Sequence, residues 1–500
     1  MTSTLRVTTH PDYALTDLDI KAVRDCVEGA AAIKRETYTY LPHPSQIDKD
    51  SKEQKARYRE FLAGAEFDNF TDDTRRELLG KMRINNTQLD FNERINYLIE
   101  NADGDGMPLS ASIEYAINNV LQTKWHVLVA DVKNAPKSSG KISKAERSSL
   151  NMRTTIKQYT RENVVNWNFS VVNDVMQLSY IELLQVSSDF DIDSGSHDRV
   201  ETYLVMALDE NGDYYQQIKT FGGSAGESTV TDPDYVTVNG KPLKWLPVVI
   251  LADEELAPYC MPRQPGYLAQ IAHSSLHRYR VSAVYKEVQR NIAPTIMTSG
   301  WKDGDIDIFK EANNGRSYIA TGAGAVNNMP DGVTSEVLSC ATEMDDFHWY
   351  FESNEKKIRS MGGDANTQNV AMTATEANIT ASKQNALLNT IADNAEQGFA
   401  RIVAYCAMFE GLYQSDNIEQ SLDDVIVELP RDFATPKLTE TEVQEYRQDY
   451  LNGLISQSQY IEIMIKGGWR NGDVETILAE LDEQPPTGQP VDTNNNLIDN

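Results

Sequence analysis

No apolar run in this chain is long enough to cross a bilayer. The longest, Trp245–Ala252, falls far short of the ~20 residues a membrane helix needs. No secretion signal is visible, because Asp12, Asp17 and Asp19 interrupt the N-terminal stretch. Cysteine is scarce: Cys26, Cys260, Cys340 and Cys406 lie far apart and form no C-x-x-C. That excludes a disulfide framework and a zinc-type spacing, and suits free thiols in a reducing compartment. Positive charge is in deficit, with 46 Lys and Arg against 75 Asp and Glu, a formal charge of −29. Such a balance disfavours tight wrapping on DNA phosphate. It favours solubility, and it also suits a surface past which DNA slides without sticking.

The motifs of common enzymes are missing as well. A phosphate-gripping loop needs Ser or Thr after Gly-Lys, but the pairs here read Gly80-Lys81-Met82, Gly140-Lys141-Ile142 and Gly240-Lys241-Pro242. The Gly-rich stretches 222–228 and 322–327 lack the strand-then-helix context of a nucleotide site and read as turns. Asn101-Ala-Asp103-Gly-Asp105-Gly106 begins like a calcium loop, but Ser112 stands where a bidentate Glu is required, so it reads as a tight loop before a helix. His273 and His277 are four apart on one helix face, with no Glu after His273 and no third ligand. Helix packing is the expectation there, not zinc. No catalytic residue, metal or cofactor is expected.

What the chain does have is helix and strand pattern in blocks. Its length holds more than one core, since single cores stop growing near ~250–300 residues. Helices are predicted over 17–36, 52–66, 71–82 and 109–124, the last with Ser110 as its cap. A buried strand follows at 125–132. Residues 133–161 carry Lys133, Lys141, Arg153, Lys157 and Arg161 among Ser, Gly and Pro, the pattern of an exposed basic loop entering a helix. From 162 to 252 the pattern is β, with Asn-Gly hairpin signals at Asn211-Gly212 and Asn239-Gly240.

The most informative stretch is 265–412. A long helix is predicted over 265–291 with Pro265 in its first turn, then a Gly-, Asn- and Asp-rich insert of turns and short strands over 292–340. Helical pattern resumes over 341–361 and breaks at Gly362-Gly363. It restarts at Thr373, with apolar residues such as Leu388, Ile391, Ala395, Phe399, Ile402 and Cys406 recurring on one face. A strand at 424–430 and three short helices over 438–483 follow, capped by Thr439 with Glu442, Ser456 with Gln459, and Asn471. The Pro- and Asn-rich tail 484–500 reads as disordered.

Short motifs in a fixed order along residues 20–412 carry a resemblance. They include Tyr40-Leu41-Pro42, Tyr58-Arg59, Leu79-Gly80, Asp103-Gly104-Asp105-Gly106, and Glu162-Asn163-Val164-Val165-Asn166-Trp167. Leu246-Pro247, Ala272-His273, His277 with Tyr279-Arg280, and Ala293-Pro294-Thr295 complete the series. Together they resemble the portal proteins of tailed bacteriophages, in a family often described only as a domain of unknown function. Lys81-Met82-Arg83 and the 133–155 segment depart from that pattern.

The resemblance implies an α+β portal fold. Its parts would be a wing over 1–264, stem helices at 265–291 and 341–361, and a clip at 292–340. A tunnel loop at 362–373, a long wing helix and strand at 374–435, and a helical crown at 436–483 complete it. It implies a dodecameric ring at one capsid vertex, in the virion after assembly in the host cytoplasm. The implied partners are the major capsid protein, terminase, then adaptor and tail proteins, with no membrane. Double-stranded DNA would pass through the axis without sequence specificity, along a loop holding Gly362, Gly363, Asp364, Asn366, Thr367, Gln368 and Asn369. Arg316 and Asp331 are the expected charged contacts of the clip. A head-completion protein without a channel is the alternative, and a terminase- or nuclease-like enzyme is disfavoured by the missing motifs.

Overall fold

The computed structural model describes residues 8–44, 49–82, 84, 87–133, 149–172, 174–190, 192, 194–222, 229–256, 260–291, 295–319, 326–338, 344–362, 374–413, 422–431, 440–466 and 477–478. Two units divide the chain, Met1–Pro430 and Arg431–Asn500. The single helix expected over 17–36 is two, α1 (Asp17–Glu28) and α2 (Ala30–Arg35). Gly29 between them has φ +103°, a setting that side chains rarely adopt. Ser51 caps α3 (Lys52–Gly64) by accepting from the Gln54 amide at 3.2 Å. Next come α4 (Phe70–Met82), β1 (Gln88–Asp90), α5 (Tyr97–Glu100) and α6 (Leu109–Thr123). The cap of α6 is Pro108, not Ser110: the Pro108 carbonyl already accepts from the Ser112 amide at 2.9 Å. Leu109 is fully buried, which draws the helix start ahead of the expected residue.

β2 (Trp125–Lys133) pairs antiparallel with β3 (Arg153–Tyr159), Val127 opposite Tyr159 and Lys133 opposite Arg153. The expected loop entering a helix is therefore a strand from Arg153 onward. Thr154, Thr155 and Ile156 are β-branched and buried, and pairing with β2 outweighs the local charge. A larger antiparallel sheet follows in the order β4 (Val164–Val172), β5 (Val175–Phe190), β6 (His197–Leu208), β7 (Tyr214–Gly222), β8 (Thr229–Val230), with β9 (Asp234–Tyr235) also on β7. β10 (Thr237–Val238) and β11 (Lys241–Pro242) form the hairpin across Asn239-Gly240. β12 (Val248–Ala252) returns to the other edge of β2. Trp125, Val127, Tyr159, Trp167, Ile181 and Tyr214 from these strands share one core.

After β12 come α7 (Ala269–Asn291), β13 (Thr295–Ser299), α8 (Asp305–Ala312), β14 (Thr334–Leu338), α9 (Asp345–Ser360) and α10 (Ala374–Phe409). Among the residues expected on the apolar face of α10, Leu388, Ile391, Ala395, Phe399, Ile402 and Cys406 are buried. The helix packs on β2, β3 and β12. β15 (Ile426–Glu428) then pairs with β1, Val427 opposite Leu89.

In the second unit, α11 (Glu440–Leu451) precedes α12 (Gln457–Lys466). Ser456 Oγ accepts from the Gln459 amide at 3.2 Å and Gln459 Oε1 accepts from the Ser456 amide at 2.9 Å, a reciprocal cap. Thr439, Asn471 and the tail 484–500 lie outside the described residues.

One core histidine makes stability depend on pH. His126 is fully buried on β2, with Nε2 2.8 Å from Gln158 Oε1 and Nδ1 without a hydrogen-bond partner among the described residues. Burial lowers its pKa to about 4 from 6.5. The unfolded chain thus binds a proton that the folded one refuses between those values, so stability falls as pH drops from about 6.5 towards 4. His126→Gln is expected to flatten that slope, read as the urea midpoint at pH 7 and pH 5. An unchanged difference between the two pH values in the variant would assign the acid sensitivity elsewhere.

Candidate functional site: the helix pair and its insert

Pro265 lies outside α7, contrary to its expected first-turn position, because Gly266 runs against the end of α6. A Cβ at Gly266 would stand 2.8 Å from the Gln122 carbonyl oxygen and 2.8 Å from the Lys124 amide nitrogen. That approach holds 265–268 off the helical path, and the helix starts at Ala269.

From there α7 turns Ile271, Ala272, Ser275, Leu276, Tyr279 and Ala283 inward, against α1, α3 and α4. Polar ties flank that face. Arg280 Nε donates to the Tyr40 carbonyl at 2.7 Å, Ser282 Oγ to the Glu66 carbonyl at 2.8 Å, and Lys286 pairs with Glu66 at 2.9 Å.

α9 runs back along α7. Arg278 holds the two together: Nη1 donates to the Phe351 carbonyl at 2.9 Å and Nη2 to Glu355 at 3.0 Å. Its guanidinium lies 4.7 Å from the Phe351 ring centre, a cation–π contact. Tyr285 meets the edges of Phe347 and Phe351 at 5.4 and 5.7 Å. Asp345 and Asp346 in the first turn of α9 and Lys357 and Arg359 in the last suit the helix dipole.

Beside this seam is a groove of about 500 Å³, lined by His273, Ser274, His277, Tyr350, Asn354 and Lys357. His273 Nε2 is 2.6 Å from Asp19 Oδ1, and His277 is bonded to the Tyr350 hydroxyl. Each histidine of the pair thus meets a partner on another helix. Asn354 Nδ2 reaches the Ser274 carbonyl at 3.5 Å, and its buried Oδ1 has no hydrogen-bond partner among the described residues.

The insert at the end of the pair is a small folded piece. β13 pairs with β14 within the chain, Ser299 opposite Thr334 and Thr295 opposite Leu338. Trp301 packs edge-on against Phe309 of α8 at 5.8 Å. Buried Asn313 ties α8 to the returning chain, donating to the Phe309 and Asn328 carbonyls and accepting from the Asn328 amide. Arg316 works inward on the same loop, donating to the Asn313 and Val326 carbonyls at 3.2 and 3.1 Å. Asp331 is exposed in the turn before β14. Met297, Ile306, Ile308, Tyr318 and Val326 are also exposed. Sequence reasoning passed over them in favour of charges, although the alternation in Asp305–Ile308 offered a signal.

Of the expected channel residues, Gly362 is described, while Gly363, Asp364, Asn366, Thr367, Gln368 and Asn369 lie outside the described residues. Gly362 is anchored: its carbonyl accepts from Gln384 Nε2 at 2.7 Å, and Gln384 Oε1 accepts from Lys81 at 2.5 Å. Tyr267 donates to the neighbouring Met361 carbonyl at 2.8 Å. Burial pushes the Tyr267 hydroxyl up to about 12, so it keeps the proton it donates.

Residues 267–410 match a family described as a domain of unknown function (DUF4055). No curated protein matches the chain. Among solved structures, a chain of the virion of a native gene transfer agent particle aligns with 10% identity and a TM-score of 0.39 over 88% of this chain and 99% of that one. A chain from the neck of the empty particle, computed with C6 symmetry, aligns with 10% identity and a TM-score of 0.39 over 83% and 93%. One from the neck of the native particle, computed with C12 symmetry, gives 12% identity and 0.37 over 80% and 91%.

Proposed function

We propose that the chain is a portal-type head–tail connector subunit, which assembles into a ring at one vertex of a phage-like capsid and lets double-stranded DNA through its axis. The observation that carries this reading is the antiparallel α7–α9 pair with a separately folded β13–α8–β14 insert at one end. α7 has 23 residues, roughly 35 Å at about 1.5 Å per residue, and α9 has 16, roughly 24 Å. A stiff pair of that length with a compact tip suits a shaft through a shell, with the tip as docking surface for terminase and then for adaptor and tail proteins. The family match over 267–410 covers this same segment. The net charge of −29 suits a wall that DNA passes without being held. The reading assigns the chain no catalytic step.

Images of the purified full-length protein at micromolar concentration test it, with light scattering for mass. A closed ring with an axial hole is expected. A stable monomer that also fails to assemble with capsid or scaffold protein would overturn the reading, and a closed ring without a hole would favour a head-completion role.

Excising 305–330 tests the tip. The cut removes α8 and the Asn313 clamp but leaves β13 and β14, whose ends meet at Ser299 and Thr334. Secondary structure elsewhere and ring assembly are expected to persist, while DNA packaging and tail attachment are lost. Normal packaging by the deletion would remove the tip from the docking role.

A further inference from the structure

We infer that a second copy of this chain seats the outer face of its α9 on the exposed stripe of α7, so that copies add head to tail. The inference rests on the ring-forming reading and deepens it. His273, His277, Arg280 and Val284 recur along the exposed side of α7 at spacings of four, three and four. Asp345, Trp349, Glu352 and Lys356 recur along α9 at the same spacings, all exposed. Because Phe351, Glu355 and Ile358 turn toward α7, helical periodicity points the α9 stripe away from it. The two stripes therefore cannot meet within one chain.

The contacts inside the pair fix relative heights. His277 meets Tyr350, Arg278 meets Phe351 and Ser274 meets Asn354. At those heights Glu352 is level with His277, Trp349 with Arg280, and Lys356 with His273 and its partner Asp19. A rotation about an axis parallel to the helices keeps each rung level. The neighbour's Glu352 then arrives at His277, and its Lys356 arrives beside Asp19. Its Trp349, 71% exposed in the lone chain, arrives over Arg280, whose Nε is already held by the Tyr40 carbonyl. A large exposed aromatic facing an anchored arginine, flanked by opposite charges, is the composition of an interface centre. The two faces differ, so the contact is heterologous and propagates instead of stopping at a dimer.

The test uses full-length chain carrying His277→Cys with Glu352→Cys, and each single variant, under mild oxidation. The double variant is expected to give a ladder of covalent oligomers beyond dimer on a non-reducing gel, and the singles none. In parallel, Glu352→Lys should weaken assembly at least about tenfold, because an ammonium then replaces the acceptor at His277 and lies close to the Arg280 guanidinium, and adding His277→Glu should restore it. If wild-type chain assembles but the cysteine pair gives no ladder, or Glu352→Lys assembles normally, this pairing is overturned and the ring reading stands. Wild-type chain that stays monomeric even with capsid or scaffold protein present overturns both.

Discussion

Arg161→Ala is expected to destabilise the first unit by about 3 kcal/mol, the sum of two charge-assisted hydrogen bonds lost and a cavity opened. Arg161 is buried beside the β2–β4 core, and Nη2 donates to the Asp12 and Tyr13 carbonyls at 3.1 and 2.9 Å. Its guanidinium lies 4.7 Å from the Trp125 ring centre, 5.4 Å from Trp167 and 5.5 Å from Tyr13. Burial pushes its pKa down, while Asp17, Tyr13 and Glu162 push the other way. The arginine thus pins the N-terminal segment onto the sheet, and alanine would remove the charged donor shared by the Asp12 and Tyr13 carbonyls and empty the space between the aromatic faces. Arg161→Lys keeps a charge but loses the planar fork, so it should fall between wild type and alanine. Trp125 and Trp167 make the measurement direct, since their fluorescence follows the urea transition at the altered site. A midpoint for the alanine variant equal to wild type would show that the cage is incidental.

Much of this fold is legible in the sequence where the determinant is local. Asn239-Gly240 marks its hairpin because the turn demands those residues, and Ser456 with Gln459 marks a helix start for the same kind of reason. The buried face of α10 follows from spacing alone. β3 is not legible: its lysines and arginines suggest a solvated loop, and the decisive fact is a ladder offered by β2 across an intervening segment. The β1–β15 pairing joins Leu89 to Val427, and no local pattern marks a partner that distant. At the candidate site, helical periodicity reveals the pair and glycine content reveals the insert. Which side of α7 meets water is set by α1, α3 and α4, so Leu276 is buried where Trp349 of α9 is not. Arg316 illustrates the same limit, since nothing local marks the Asn313 and Val326 carbonyls that hold its guanidinium.

Gly362→Ala is expected to destabilise by about 2 kcal/mol, from a left-handed backbone strained by a side chain and from a displaced buried hydroxyl. Gly362 ends α9 at φ +86°, and a Cβ there would lie 2.1 Å from Tyr267 Oη. That hydroxyl donates to the Met361 carbonyl, so the methyl and the hydrogen bond compete for one place. Tyr267→Phe alone should cost about 1 kcal/mol, the net worth of a buried hydrogen bond. Removing the hydroxyl also removes the clash, so the double variant should be less destabilised than the two singles combined by about 1 kcal/mol. What remains in the double variant is the strain of the positive φ together with the lost hydrogen bond. Thermal and urea unfolding of the four proteins give the cycle. Strictly additive losses would show that the tyrosine does not set the space at Gly362. The position then matters for α9 itself: the Gly362 carbonyl reaches Gln384 of α10 and through it Lys81 of α4. A residue that forces Gly362 aside therefore loosens the junction between α9 and α10, the point from which the candidate channel segment departs.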